Sequence, residues 1–328
     1  MHLKIGYCNP DEATIKQFNA RGLEIVPLSA AWNDNDETLR QLEGLDCWVN
    51  VGQNCPEDMI EKMPSSIKMI CRSGIGYDQI DIAAATKAGI CVTNTAGSMN
   101  ASVGEAALIL ILETMRKTYL FNRRFMHNAN FDRSGIVGMD LEEKTVGLVG
   151  FGGIARRLAQ YLQGFHCKLL IYDVYQNQKA ADEYGAVYVD LDTLAKKSDV
   201  ISIHCPLTPE TYHLVNADFL GKMKPTAILV NTARGPIVDE KALIAALKGK
   251  SIWGAGLDVY EQEPPAADNE LLKLDNVYAF PHVGSFSFES RRLTTEYAID
   301  NIIDFMDGCL PRNCVNPDYT EKKEKNPK

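Results

Sequence analysis

The chain has 328 residues, enough for about two domains. Hydrophobic residues make up 45% and charged ones 23%, which excludes global disorder. Lys plus Arg number 34 against 43 Asp plus Glu, a net charge of −9 that suits neither a general nucleic-acid binder nor a protein of anionic membranes.

The opening stretch, Met1 to Tyr7, has no leader-like apolar core, and Asp11 and Glu12 follow at once. Short β-branched runs then alternate with helical patterns. The early runs are Leu3–Tyr7, Leu23–Leu28, Cys47–Val51, Lys68–Cys71 and Ile90–Thr93. The later ones are Val146–Gly150, Leu169–Asp173, Val200–Cys205, Ala227–Asn231, Ala255–Val259 and Val277–Phe280. They are continuously apolar, so they read as strands covered on both faces of parallel sheets. Five lie before residue 100 and six after 145, which predicts an α/β chain with two open parallel-sheet domains.

Between the two sets, Ser102-Val103-Gly104-Glu105 has the form of a capping box, and Val103, Ala106, Ala107, Leu110 and Ile111 follow at helical spacing. The apolar run Ala106–Leu112 stops at Glu113, far short of the ~20 residues that span a bilayer. Near the end, Leu293, Tyr297, Ala298, Ile302 and Phe305 form a second helical stripe, closed by Gly308 and Pro311. Its place is back against the first sheet, giving a discontinuous domain of 1–99 plus 287–328 around a cofactor domain of 100–286. The tail from Glu321 to Lys328 is all polar and is expected to be disordered. Nine scattered Cys without a CxxC pair predict reduced thiols in the cytoplasm, with no metal site and no structural disulfide.

Gly150-Phe151-Gly152-Gly153-Ile154-Ala155 matches G-x-G-x-x-A directly after a strand. Gly150 permits the tight turn, Gly152 lets backbone approach a pyrophosphate, and Ala155 keeps the following helix close to the strand. Ile154, Leu158, Leu162 and Phe165 share one face of that helix, whose first N–H groups would face phosphates. The next strand ends in Asp173, where ribose hydroxyls would be held. Asp173 would repel a 2′-phosphate and no Arg follows it directly, which favours NAD over NADP. As a bland alternative, Asp173 could cap a helix.

Beyond later strand ends stand Arg234, in Thr232-Ala233-Arg234-Gly235, and His282, in Pro281-His282-Val283-Gly284. Ligands of open α/β sheets lie just past such ends. A guanidinium fork suits a planar carboxylate, and an imidazole suits proton transfer near neutral pH. A carboxylate on the second ring nitrogen would fix the tautomer, and either Glu261 or Glu263 could supply it. His204, also at a strand end, competes with His282. His2, His127, His166 and His213 lack such a setting.

These stretches, with Cys71-Arg72-Ser73-Gly74-Ile75-Gly76-Tyr77-Asp78, Pro206-Leu207-Thr208-Pro209-Glu210-Thr211 and Asp258-Val259-Tyr260-Glu261-Gln262-Glu263-Pro264, resemble the D-isomer-specific 2-hydroxyacid dehydrogenases, the family of phosphoglycerate dehydrogenase and glyoxylate/hydroxypyruvate reductase. The resemblance covers nearly the whole chain. It implies a Rossmann cofactor domain and a flavodoxin-like substrate domain. Arg234, Glu263 and His282 would act together on a small 2-hydroxy or 2-oxo acid. Pyrophosphate would meet Gly150, Gly152, Gly153 and Ile154, ribose Asp173, and the rest of the cofactor Val103, Pro206, Thr232, Ala233, Asp258 and Gly284. Backbone N–H groups around Ser73 and Gly74 would hold the substrate carboxylate beside Arg234. A homodimer built partly on 120–140 is implied too. A formate- or phosphite-type dehydrogenase has the same build, but the formate branch carries Gln at the acid's place. A non-catalytic NAD-sensing protein like the C-terminal-binding-protein corepressors shares the fold as well.

Overall fold

The structure is a computed structural model and describes residues 3–29, 34–134 and 136–320. The polar tail therefore lies outside the described residues. The chain divides into two compact units, one of 1–99 with 287–328 and one of 100–286.

The first unit holds a five-stranded sheet of β1 (Ile5–Cys8), β2 (Ile25–Leu28), β3 (Cys47–Asn50), β4 (Met69–Arg72) and β5 (Cys91–Thr93). The order is β2-β1-β3-β4-β5, and every pair is parallel. Successive side chains of a strand point to opposite faces, and here both faces are covered. Cys47, Val49, Met69 and Cys71 face Phe18 and the helix residues Ala298, Ile299 and Ile302. Trp48, Ile70 and Val92 face Leu42, Met59 and Ala85. That is why these strands read as unbroken apolar runs. The helix Phe288–Met306 starts where the Ser287 hydroxyl accepts from the Ser290 N–H at 3.0 Å. It ends before Gly308, whose φ of 75° is left-handed.

The second unit is built on β6 (Thr145–Val149), β7 (Lys168–Tyr172), β8 (Val187–Tyr188), β9 (Val200–Ile203), β10 (Ile228–Asn231), β11 (Gly254–Leu257) and β12 (Val277–Ala279). The order is β12-β11-β10-β9-β6-β7-β8, again parallel throughout. The two-residue β8 extends the expected six strands to seven. Chain order runs outward one way from β6 to β8, then restarts at β9 on the other side. The crevice between β6 and β9 is the switch point at which such sheets bind ligands. Two parallel-sheet α/β units are thus observed, as the strand runs predicted.

The helix Asn100–Arg116 packs on this sheet through Ala107, Leu110, Ile111 and Met115. It begins two residues before Ser102, so the S-x-x-E stretch lies inside the helix and is not its cap. Gly256 makes close packing possible, because a Cβ there would lie 2.9 Å from that of Leu110. Among the described residues no helix is long and apolar enough to cross a membrane.

Candidate active site

The ladder register assembles the site. Tyr172, Val149, Ile203, Asn231, Leu257 and Ala279 stand side by side in one row across the second sheet. The residues after them are Asp173, Gly150, His204, Thr232, Asp258 and Phe280. Every chemistry-bearing group of this unit therefore emerges at the same carboxyl edge.

At the switch point the fingerprint loop has the shape its glycines require. Gly150 has φ 89°, and a Cβ on it would sit 2.7 Å from the Cys205 nitrogen. A Cβ on Gly152 would meet nothing within 4 Å, whereas one on Gly153 would collide with the Asn100 side chain at 2.4 Å. The helix Gly153–Leu162 then buries Ala155, Leu158, Ala159 and Leu162. No side chain caps its first turn, so those N–H groups stay available to an anion. Asp173 accepts from the Phe151 N–H at 2.7 Å and the Tyr175 N–H at 2.8 Å, which ties it to the loop. It caps no helix, since Asn177 caps the next one. The Thr232 hydroxyl is buried without a partner, a polar atom suited to a ligand group. Open space at Gly152, the uncapped turn, Asp173 and Thr232 together fit a dinucleotide. Val103 is buried in the helix on the sheet and Pro206 is exposed just past β9.

At β10 the Asn231 side chain bends the chain, accepting from the Ala233 N–H at 3.0 Å and donating to the Arg234 carbonyl at 2.8 Å. Arg234 Nη1 in turn donates to the Ala233 carbonyl at 2.7 Å. At β11 and β12 the buried Asp258 carboxylate accepts from Val283 N–H at 2.8 Å and Gly284 N–H at 2.9 Å. The Asp258 carbonyl accepts from the His282 N–H at 2.8 Å. Burial raises the Asp258 carboxyl, opposed by those two N–H groups and the charge on His282. Asp258 and Gly284 were expected to meet the cofactor; in the structure they first bind each other and hold His282 in its left-handed backbone of φ 56°.

His282 Nδ1 lies 2.6 Å from Glu263 Oε2, and Glu263 Oε1 accepts from the Tyr260 N–H at 3.1 Å. The hydrogen bond to Glu263 raises the His282 pKa; burial opposes it, as does the Arg234 charge, while the charges of Glu263 and Asp258 add to it. Burial pushes the Glu263 carboxyl up, yet the His282 hydrogen bond and charge, the Tyr260 N–H and the Arg234 charge leave it below its ordinary value. The pair is thus biased toward imidazolium and carboxylate, with Arg234 close enough to act on both.

The structure separates the alternatives that spacing left open. Glu261 meets His213 Nε2 at 2.8 Å, so the carboxylate on His282 is Glu263. His204 Nε2 is buried without a partner, and burial lowers its pKa to about 4, so near neutrality the ring is uncharged and is no imidazolium acid. His213, set aside from its sequence setting, does have a carboxylate partner. Glu261 lies 48 positions away, and no spacing rule could signal it.

Ser73 and Gly74, in the first unit, need a correction. The Ser73 N–H donates to the Asn50 carbonyl at 2.8 Å and the Gly74 N–H to the Arg72 carbonyl at 3.0 Å. Both groups are spent inside the loop and are not free to take a carboxylate. Ile75 and Gly76 follow in the same turn and are partly exposed, while Gly74 is buried.

Gly235 is the tightest point near the site. A Cβ there would lie 1.9 Å from the carbonyl of Tyr260, three residues before Glu263. Gly235→Ala must push the Tyr260 to Pro264 loop away, at a cost of at least ~1–3 kcal/mol. A lowered Tm together with a loss of turnover is the expected outcome in calorimetry and assay.

Residues 108–284 match the family described as "D-isomer specific 2-hydroxyacid dehydrogenase, NAD binding domain". The chain belongs to this family. It is 41% identical over 289 residues to a glyoxylate reductase of Thermococcus litoralis, covering 86% of each chain. Among solved structures it resembles D-lactate dehydrogenase from Aquifex aeolicus complexed with NAD and lactic acid, with TM-score 0.82, 29% identity and coverage of 95% and 99%. It also resembles an acyclic imino acid reductase in complex with NADPH and D-Arg, with TM-score 0.86, 28% identity and coverage of 95% and 100%. As a 2-hydroxyacid dehydrogenase this chain is an oxidoreductase acting on CH–OH groups, with an NAD(P)-binding domain.

Proposed function

We propose that the chain interconverts a small D-2-hydroxy acid of the glyoxylate or hydroxypyruvate class with its 2-oxo acid, through Arg234, Glu263 and His282. The observation that carries this reading is the 2.6 Å contact between His282 Nδ1 and Glu263 at the carboxyl edge of the cofactor sheet. The Arg234 guanidinium takes the substrate carboxylate and polarises the neighbouring carbonyl. Glu263 holds Nδ1, which turns Nε2 of His282 toward the reacting oxygen. In reduction Nε2 gives that oxygen its proton; in oxidation it takes the proton back. The nicotinamide, when bound, supplies or accepts the hydride at C2. Gly150, Gly152, Gly153 and Ile154 cradle its pyrophosphate, and Asp173 holds the ribose. Val103, Pro206, Thr232 and Ala233 line the remaining path.

The cofactor is NAD rather than NADP, because the Asp173 carboxylate repels a 2′-phosphate. The chain works in the cytoplasm as a homodimer. Its nine Cys are unpaired, which suits a reducing compartment. Exposed Tyr119, Phe125, Met126 and Val137 supply an apolar surface for a second copy. The reading is tested by NADH and NADPH oxidation with glyoxylate, hydroxypyruvate, pyruvate, phenylpyruvate and phosphohydroxypyruvate. Turnover with NADH and at least one of the first two is expected; none with any 2-oxo acid would refute it.

The raised His282 pKa sets the pH behaviour. Reduction needs imidazolium, so its rate falls as pH rises through that pKa. Glu263→Gln removes the group that raises it, and the descending limb of reductive kcat/KM should move to lower pH. The ascending limb of oxidation should move the same way. Limbs at unchanged pH would remove Glu263 from this role.

A further inference from the structure

The loop that carries Glu263 is fastened at points outside the catalytic row. The buried Tyr260 donates through its hydroxyl to the Phe280 carbonyl at 2.9 Å. The next residue, Glu261, is gripped at three points. Its Oε1 accepts from the Glu240 N–H at 3.0 Å and meets His213 Nε2 at 2.8 Å. Its N–H donates to Glu240 Oε2 at 3.2 Å, and Glu240 Oε1 accepts from Asn269 at 2.7 Å. His213 is itself held in place. Its N–H donates to the Pro236 carbonyl at 2.9 Å, and its ring stacks on Tyr212 with centroids 4.0 Å apart. Pro236 lies two residues past Arg234. His213 therefore ties the segment after Arg234, through its backbone N–H, to the loop of Glu263, through its ring. His213, Glu261 and Asp239 bring their donor atoms within 4.8 Å of one another, but Glu261 and His213 already satisfy each other and Asp239 caps Ala242 at 3.0 Å.

We infer that His213 is a positioning residue of the reaction, a brace whose ring sets Glu263 against His282 through Glu261. The inference rests on the function proposed above and adds a role outside the Arg–Glu–His set. Magnitudes favour geometry over stability. A partly exposed pair of this kind adds little to folding. A catalytic carboxylate displaced by about 1 Å can cost ~10²-fold in rate.

His213→Asn is the disrupting variant, because Asn tolerates the left-handed φ of 50° but is too short to reach Glu261. His213→Gln restores a donor at about the original reach. In His213→Asn, reductive kcat should fall roughly tenfold while KM for NADH stays unchanged. The descending pH limb should move lower, and His213→Gln should recover most of both. Combined with Glu263→Gln, His213→Asn should add little, because the brace acts through a carboxylate already gone. Equal losses in the two backgrounds, or an unmoved limb, would overturn the inference. The His282 ring is also titrated by NMR, without substrate. A lower pKa in His213→Asn than in the parent is expected, and an unchanged one defeats the brace. If no 2-oxo acid is reduced by the parent, the functional reading fails while the titration still judges the brace.

Discussion

His282→Ala should leave NADH binding nearly intact and lower turnover by ~10²–10⁴. The side chain leaves the cofactor loop untouched, since Gly150, Asp173 and the uncapped helix start belong to other strand ends. The backbone of residue 282 remains tied to the Asp258 carbonyl, so the fold of the turn has its own support. Ala at φ 56° is somewhat strained, and His282→Asn, tolerant of that conformation, serves as the control. Fluorescence titration of NADH with stopped-flow turnover separates the two effects. Parallel loss of binding and turnover would point to a folding defect instead of a missing proton donor.

Arg234→Lys should be the other severe change. Lys keeps the charge but loses the planar fork that binds a carboxylate through two parallel N–H groups. Loss of a charge-assisted contact that also polarises the carbonyl costs about 10²–10³ in kcat/KM. Because the Asn231 side chain donates to the Arg234 carbonyl, the local backbone should survive. Its charge acts on both Glu263 and His282, and Lys keeps that charge, so the pH limb should move little while the rate falls. Substrate kinetics at saturating NADH check this. A loss under threefold would show that the carboxylate is held elsewhere.

Much of this architecture was legible because parallel strands covered on both faces leave unbroken apolar runs, as in Cys47–Asn50 and Val200–Ile203. The G-x-G-x-x-A loop was legible because its glycines answer to local demands, a positive φ at Gly150 and open space at Gly152. Features fixed by tertiary contact were not. The two-residue β8 is too short to show a pattern. Ser102 has the form of a cap, but the helix starts earlier at Asn100. The choice between Glu261 and Glu263 depends on which way each side chain turns from one loop, and two residues of separation cannot tell. The occupied N–H group of Ser73 was hidden for a similar reason, because its acceptor on Asn50 comes from a neighbouring strand. Asp258 was expected at the cofactor only from the family resemblance; its two bonds to the Val283 and Gly284 N–H groups, 25 and 26 positions away, are contacts that no spacing could show.

The most direct test is a single-turnover reduction with NADH deuterated at nicotinamide C4, in the parent chain and in His282→Ala. The account predicts deuterium at C2 of the product, a hydride-transfer rate at least ~10²-fold slower in the variant, and unchanged cofactor binding. Equal transfer rates in the two proteins would contradict it.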